Sequence, residues 1–192
     1  MDFLKSLGLK FEPNGSKLVN PCINGDKLNV NVEVLYVRNS DIPQYVKYGV
    51  TDYGIVGENV LIEKKARLKI IKRLGFGKCK LIIAVPIKSK IKNVNDLSEE
   101  RIATSYTNTL REFLKKEGIN ASMIEINGSV EICPLLNLSD AICDITQTGA
   151  TLKENKLKVI EKIMDSEAVL VCSPLLGKEI AKNFEKLLTQ SK

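Results

Sequence analysis

The chain has 192 residues, of which 44% are hydrophobic, so it can bury a substantial core as one domain or as two small ones. It contains no histidine, which excludes Ser-His-Asp and Cys-His catalysis, histidine metal sites and a histidine general base. The net charge of +6 comes from lysines scattered along the chain without interleaved aromatic residues. This pattern favours solvated surfaces over a nucleic-acid interface, and a modest positive field also favours small polyanions.

The cysteines are five in number and never form a Cys-x-x-Cys pair, which argues against a disulfide framework and against a zinc site. They are Cys22, Cys79, Cys133, Cys143 and Cys172. Residues 1–10 have no long apolar run, and no stretch approaches about 18 consecutive apolar residues, so neither a signal peptide nor a membrane span is predicted. The expected location is therefore cytoplasmic.

The first half of the chain predicts alternating strands and helices. Apolar and polar residues alternate strictly from Leu28 to Val34, the mark of a strand with one solvated face. In chain order, the predicted elements are the end of a helix in Met1–Glu12, a strand at Leu28–Val37, a short helix closed by Gly49, a strand at Thr51–Gly57, a short helix at Asn59–Lys65, and strands at Leu68–Leu74 and Lys80–Val85.

A polar, lysine-rich stretch from Pro86 to Asn95 indicates a crossing into a second domain with the same alternation. Its predicted elements are strand Arg101–Thr104, helix Thr109–Glu117, strand Ser122–Ile126, helix Val130–Leu136, strand Ala141–Ile145, helix Gly149–Asn155 and strand Lys158–Met164. A strand at Ala168–Cys172 and a helix at Gly177–Leu188 are expected to return to the first domain. One lobe then comprises residues 1–86 and 168–192, and the other comprises residues 87–167.

This alternation predicts an α/β fold of largely parallel sheets flanked by helices, with a ligand cleft between the two lobes. Ligands in such sheets bind beyond the carboxyl ends of the strands.

The segment from Asp140 to Leu152 predicts a strand, a loop and the start of a helix. Thr146 to Thr151 places three hydroxyls, an amide and a glycine in six positions. The first N–H groups of a helix have no partner inside the helix and carry partial positive charge, so a hydroxyl-rich turn there can hold a phosphate. An ordinary turn whose threonines only cap the helix is an equally open interpretation.

The pattern Asp-x-x-x-Thr-Gly-x-Thr in this segment resembles the loop with which phosphoribosyltransferases bind phosphoribosyl pyrophosphate (PRPP). Five further segments are similar, in order, to the ATP phosphoribosyltransferase family, which catalyses the first step of histidine biosynthesis. They are Arg38–Val46, Gly49–Leu61, Leu74–Leu81, Ile102–Tyr106 and Asn127–Glu131. The resemblance covers about residues 4 to 175, and Asn137 departs from the glycine that is usual in the family signature.

The resemblance implies an enzyme that transfers the phosphoribosyl group of PRPP to an adenine ring nitrogen of ATP and releases pyrophosphate, with Mg²⁺ carried by the substrate. It also implies a fold similar to the two-lobed periplasmic binding proteins. The residues implied to bind PRPP are Asp144 at the ribose or metal, and Thr146, Gln147, Thr148, Gly149, Ala150 and Thr151 at the 5-phosphate. No catalytic residue and no protein ligand to the metal is assigned.

Four residues are assigned provisionally to ATP and pyrophosphate: Arg38, Asp52, Gly54 and Gly57. For the two glycines, tight packing is an equally good interpretation. For Arg38, a local ion pair with Asp41 at a helix start is the competing interpretation.

Two departures from the family pattern lead to further expectations. Family members usually begin with a strand and a Pro-Lys-Gly-Arg segment, which this sequence lacks, so the amino-terminal strand is expected to be missing. The chain ends soon after its last predicted helix, which resembles the short form of the family and implies a separate regulatory subunit similar to histidyl-tRNA synthetase, in a hetero-oligomer. The alternative function is a non-catalytic module of the same fold that binds a small anion or nucleotide.

Overall fold

The computed structural model describes residues 2–11, 18–24 and 32–190, and these residues form an α/β fold. Its elements are α1 (Asp2–Ser6), β1 (Val19–Pro21), β2 (Glu33–Leu35), α2 (Ile42–Lys47), β3 (Tyr53–Gly57), α3 (Glu58–Glu63), β4 (Lys69–Arg73), β5 (Cys79–Pro86), β6 (Arg101–Thr104), α4 (Thr107–Glu117), β7 (Ser122–Glu125), β8 (Ala141–Thr146), α5 (Ala150–Glu154), β9 (Leu157–Ser166), β10 (Ala168–Cys172) and α6 (Lys178–Gln190). Two 3₁₀ helices span Val94–Leu97 and Val130–Leu136.

The described residues divide into two compact units. The first contains residues from Met1–Val56, Leu68–Leu74 and Leu170–Lys192, and the second contains Gly57–Arg67 and Gly75–Val169. The sequence predicts that the first lobe extends to residue 86 and so includes β5. In the structure β5 pairs with β8 and β9, which belong to the second unit. The lobe boundaries themselves stay a prediction.

The first unit is built on a three-stranded sheet in the order β3-β10-β4, beside a separate antiparallel pair of β1 and β2. The central strand β10 reads Ala-Val-Leu-Val-Cys and is buried along its whole length, because β-branched and apolar side chains suit a strand covered on both faces. The ring of Tyr53 on β3 stacks on Phe184 of α6, with 4.2 Å between the ring centroids. Of the strand predicted at 28–37, residues 28–31 lie outside the described residues and 33–35 form β2.

The second unit is built on a five-stranded sheet in the order β7-β6-β8-β5-β9. β6 pairs in parallel with β7 and β8, whereas β5 pairs in antiparallel fashion with β8 and β9. The predicted α/β fold is confirmed, but this sheet is mixed and not largely parallel. The direction of β5 follows from the connection to β6. Residues 87–100 contain a single 3₁₀ turn instead of a crossover helix, so the chain does not cross back over the sheet. It enters β6 at the same edge at which it leaves β5, and the two strands therefore run in opposite directions.

Helices and loops cover both faces of this sheet. One face carries Leu81 and Ile83 of β5 in a buried cluster with Ile102 and Leu110. The other face carries Ile82 and Ala84 of β5 in a second cluster that includes Ile142, Leu152 and Val130. Because alternate residues of β5 enter two different clusters, the strand reads as a continuous apolar run.

No helix among residues 2–11, 18–24 and 32–190 has the length and apolar character needed to cross a bilayer.

Candidate functional site

Three parallel strands of the second unit end at one edge of the sheet. Thr104, the last residue of β6, lies opposite Glu125 of β7 and Cys143 of β8. The loops that follow these strands therefore meet at this edge, which is where ligands bind in sheets of this kind. The loop after β8 is the one that the sequence predicts to bind PRPP.

The loop after β8 is a compact turn held by its own threonines. Thr146 Oγ1 accepts a hydrogen bond from the Gly149 N–H at 3.1 Å, and Thr148 Oγ1 accepts one from the Ala150 N–H at 3.4 Å. Gly149 has φ +78°, the left-handed conformation that glycine adopts without strain, and it leads directly into α5. The N-cap of α5 is Gly149, and of the two hydroxyls only that of Thr148 accepts from an N–H of the helix itself, at Ala150. Each hydroxyl keeps a proton that it can donate to an anion.

Most side chains of this loop face solvent. Thr146 and Gly149 are half-buried, and the others are exposed: Gln147, Thr148, Ala150 and Thr151. An anion can therefore approach the hydroxyls of Thr148 and Thr151 without displacing core side chains. The structure brings the seven predicted PRPP residues together, but this follows from their adjacency in one strand-loop-helix segment.

Asp144 lies on β8, two residues before the loop, and its side chain shares a face of the sheet with that of Thr146. Its Oδ1 accepts a hydrogen bond from the Ile145 N–H at 2.8 Å. Burial raises the pKa of Asp144 above its usual 3.8, the Ile145 hydrogen bond lowers it, and the nearby negative charge of Glu131 raises it further. An ionised carboxylate held in this way is a strong acceptor for ribose hydroxyls.

Lys80 is a candidate phosphate contact that the sequence interpretation did not assign. In the antiparallel pairing of β5 with β8, Lys80 lies directly opposite Thr146, so the two side chains stand on the same face of the sheet. On its other side Lys80 lies opposite Asp165 of β9, whose pKa is lowered mainly by a hydrogen bond from Lys162 and to a smaller extent by the charge of Lys80. An exposed ammonium beside the loop can complement the charge of a phosphate. No local sequence signal reveals this pairing, because it depends on the strand order.

Among the provisional ATP residues, Arg38, Asp52 and Gly54 lie in the first unit and Gly57 begins the second. Arg38 and Asp52 are exposed. The Asp41 N–H donates to the Arg38 carbonyl oxygen at 2.9 Å, and the Asp41 carboxylate accepts from the Ser40 hydroxyl at 2.9 Å. These contacts begin the turn into α2, and the nucleotide assignment of the four residues stays a prediction.

Gly54 is required by packing. A Cβ atom at this position would lie 2.6 Å from Val46 Cγ2 and 2.8 Å from Ile42 Cγ2, both on α2. Glycine therefore lets β3 and α2 approach closely. Gly57 has an extended backbone and is the residue from which α3 begins.

Gly149→Ala is expected to destabilise the protein by about 1 kcal/mol, because an L side chain in the left-handed region is strained even where space is open. A Cβ at Gly149 would meet nothing within 4 Å, so steric clash adds no further cost. The matched control is Gly118→Ala at the end of α4, where φ is +70° and the space is equally open. Thermal denaturation should show similar losses in both variants, whereas titration with PRPP should show weaker binding only in Gly149→Ala. Equal PRPP affinity in the two variants would contradict a role for the loop.

Comparison with known proteins identifies one family. The family model HisG, described as ATP phosphoribosyltransferase, matches residues 38–191. The chain is 42% identical over 185 residues to an ATP phosphoribosyltransferase of Cytophaga hutchinsonii, a match that covers 96% of this chain and 63% of that protein. The chain thus spans less than two thirds of the length of that relative.

Solved structures agree with the family match. The structure of an ATP phosphoribosyl transferase (HisG:HisZ) complex from Thermotoga maritima is similar, with a TM-score of 0.81 and 30% identity, covering 100% of this chain and 90% of that one. The substrate binding protein of an amino acid ABC transporter is similar with a TM-score of 0.58 and 17% identity, covering 95% of this chain and 86% of that one. The latter likeness concerns the fold alone, and it confirms the predicted resemblance to periplasmic binding proteins.

Proposed function

Since the chain belongs to the ATP phosphoribosyltransferase family, we propose that it transfers the phosphoribosyl group of PRPP to an adenine ring nitrogen of ATP. The products are phosphoribosyl-ATP and pyrophosphate, and the reaction is the first step of histidine biosynthesis. The observation that supports this proposal most directly is the loop after β8. It combines the Asp144 carboxylate with the hydroxyls of Thr146, Thr148 and Thr151 at the carboxyl edge of three parallel strands.

In the proposed complex this segment binds PRPP at two points. The hydroxyls of Thr146, Thr148 and Thr151 donate to the 5-phosphate, and Lys80 adds a positive charge beside them. Asp144 accepts hydrogen bonds from the ribose hydroxyls and so orients the ring. Because the reaction forms positive charge on the ribose and negative charge on the leaving pyrophosphate, fixing the ribose in this way supplies the positioning on which transfer depends.

Magnesium is proposed to arrive with the substrate. The part of the chain that the structure describes contains no group of three or more acidic or thiol side chains that could hold a metal ion. Mg²⁺ commonly binds through one or two carboxylates together with substrate phosphates, and Asp144 can supply one such carboxylate. When bound, the ion would neutralise charge on the pyrophosphate.

A regulatory partner is part of the proposal. The Thermotoga structure contains a complex of HisG with HisZ, and this chain matches 90% of the aligned chain in that structure. We infer that the present chain works with a separate regulatory subunit similar to histidyl-tRNA synthetase, in a hetero-oligomer. A cytoplasmic location accompanies this proposal, because both substrates are cytoplasmic metabolites.

The proposal is tested by mixing the chain with Mg²⁺, ATP and PRPP, with and without a regulatory subunit of the HisZ type, and recording the ultraviolet absorbance of phosphoribosyl-ATP. We expect product that depends on both substrates. If PRPP binds but no product forms under either condition, the non-catalytic binding module becomes the better description. If PRPP does not bind at all, both the enzyme and the assignment of the loop are wrong.

A further inference from the structure

Two buried polar residues of α3 bind the start of α4. Asn59 and Glu63 are four residues apart, so they lie on one face of the helix. Their exposed fractions are only 5% and 8%, and a buried amide or carboxylate is costly unless hydrogen bonds satisfy it. Both residues find partners at the start of α4 within the same unit, and Asn59 finds a further partner in Ser166.

Glu63 satisfies the first N–H groups of α4. One carboxylate oxygen accepts from the Asn108 N–H at 2.9 Å, and the other accepts from the N–H and the hydroxyl of Thr109 at 2.9 and 2.8 Å. The Asn108 side chain in turn donates to the Glu63 carbonyl oxygen at 3.0 Å. The carboxylate thus occupies the position that a bound anion takes at many helix starts. An anion site at this helix start is filled by the protein itself.

Asn59 fixes the residue just before α4. Its Nδ2 donates to the Tyr106 hydroxyl at 2.9 Å, and its Oδ1 accepts from the Ser166 hydroxyl at 2.9 Å. The Asn59 N–H also donates to Ser166 Oγ at 3.0 Å. Asn59 and Glu63 therefore hold the turn after β6 from two sides, one at Tyr106 and the other at Asn108 and Thr109.

This turn is tied directly to the strand that carries Asp144. The Thr104 hydroxyl accepts from the Tyr106 N–H at 2.8 Å and donates to the Cys143 carbonyl oxygen at 2.7 Å. Cys143 immediately precedes Asp144 on β8. Burial raises the pKa of Tyr106 to about 12, and the negative charge of Asp144 adds a smaller contribution in the same direction.

We propose that Glu63 is a positioning residue for the PRPP site: by fixing the start of α4 it holds the Ser105–Tyr106 turn, and through Thr104 the end of β8, in the geometry that binds PRPP. The inference rests on the proposed function, since it concerns the same site. A purely structural helix cap would instead change the stability of the protein and leave its affinity for PRPP unchanged.

The test compares Glu63→Gln with Glu112→Gln. The second variant is a matched control, because Glu112 on α4 pairs at 3.4 Å with Lys65, which lies in the turn just after α3, and both side chains are well exposed. PRPP affinity is measured by calorimetry at a temperature where all variants are folded. We expect Glu63→Gln to raise the dissociation constant of PRPP about tenfold, since it places an amide N–H against backbone donors, and Glu112→Gln to leave it unchanged.

Chemical rescue by acetate separates the positioning role from a purely structural one, because a purely structural helix cap would not change PRPP affinity. Glu63→Ala leaves a space at the start of α4 that acetate can fill. Added acetate is expected to restore most of the PRPP affinity that this variant has lost, and to leave the affinity of the wild type unchanged. Thr109→Val, which removes one hydrogen bond and keeps the carboxylate, is expected to weaken binding less than Glu63→Gln. It keeps the test usable if Glu63→Gln does not fold.

The outcomes separate the two claims. Wild-type protein that does not bind PRPP contradicts the proposed function. Wild-type protein that binds PRPP, with unchanged affinity in Glu63→Gln or Thr109→Val and a lower midpoint of thermal unfolding, contradicts the positioning role alone. Weaker binding that acetate restores in Glu63→Ala supports it.

Discussion

Asp144→Asn is expected to weaken PRPP binding by about 1.5 to 3 kcal/mol, the usual contribution of a hydrogen bond to a charged group. The same substitution is expected to stabilise the ligand-free protein at pH 7. The ionised carboxylate is partly buried and lies near the charge of Glu131, so an uncharged amide of similar shape relieves both costs. A gain in stability with a loss of binding is typical of a residue kept for function.

The raised pKa of Asp144 predicts how stability and PRPP binding change with pH. Because the pKa of Asp144 is raised in the folded state, folded protein binds more protons than unfolded protein between about pH 3.8 and the folded pKa. Stability from this group therefore falls as the pH rises through that window, and it stays lower at neutral pH. Binding of PRPP through the ionised carboxylate changes in the opposite sense and is lost as the pH falls through the raised pKa. Both dependences should be weaker in Asp144→Asn.

Asp140→Asn is the matched control, four residues earlier in the chain. Hydrogen bonds from Arg101 lower the pKa of Asp140, so its contribution to stability is present above about pH 3.8 and is lost as the pH falls through the folded pKa. Arg101 Nε donates to Asp140 Oδ2 at 2.9 Å. Asp140→Asn should therefore lower the thermal midpoint at pH 7 and leave PRPP affinity unchanged. The proposed role of Asp144 is refuted if the two variants shift the thermal midpoint in the same direction. It is also refuted if both variants keep the wild-type affinity for PRPP.

Lys80→Met is expected to weaken PRPP binding by about 1 to 2 kcal/mol and to reduce its dependence on salt, since it removes a cation beside the phosphate loop and keeps a similar length. The expectation rests on the position of Lys80 directly opposite Thr146 on the same face of the sheet. The measurement is calorimetric titration with PRPP at low and at moderate ionic strength.

Lys116→Met serves as the control for Lys80→Met. Lys116 lies in the last turn of α4, and its side chain is 80% exposed beside Glu117. The same loss of charge at this position should leave both the affinity and its salt dependence unchanged. If the two lysine variants show the same PRPP affinity and the same salt dependence, Lys80 acts only through the net charge of the protein. The proposed contact between Lys80 and the phosphate is then wrong.

The sequence predicts the loop after β8 well because its information is local. Asp144 to Thr151 are contiguous, and the strand, the loop and the helix start follow from the residues themselves. The antiparallel direction of β5 was not predictable in this way, because alternation of strands and helices does not fix the direction in which a strand enters the sheet. That direction depends on the length and content of the connection after Pro86.

The residues that sequence interpretation missed depend on distant pairings. Lys80 becomes a candidate only when β5 is known to lie beside β8, and Glu63 only when α3 is known to pack on the start of α4. Their residue types are common on solvated surfaces, so nothing in the local pattern distinguishes them. Gly54 shows the converse case, because its pattern was consistent with nucleotide contact or with packing. The approach of Val46 and Ile42 shows that packing is sufficient to require glycine there, while nucleotide contact stays a prediction.

The central claim is that the loop after β8 binds the 5-phosphate of PRPP. Its most direct test is titration of the isotope-labelled protein with ribose 5-phosphate, which carries the ribose and the phosphate without pyrophosphate, while backbone amide resonances are followed by NMR. The predicted result is saturable shifts concentrated in residues 144–152, with little change at the start of α4, where Glu63 already occupies the first N–H groups. Shifts centred on residues 107–109, with the loop unaffected, would contradict the account.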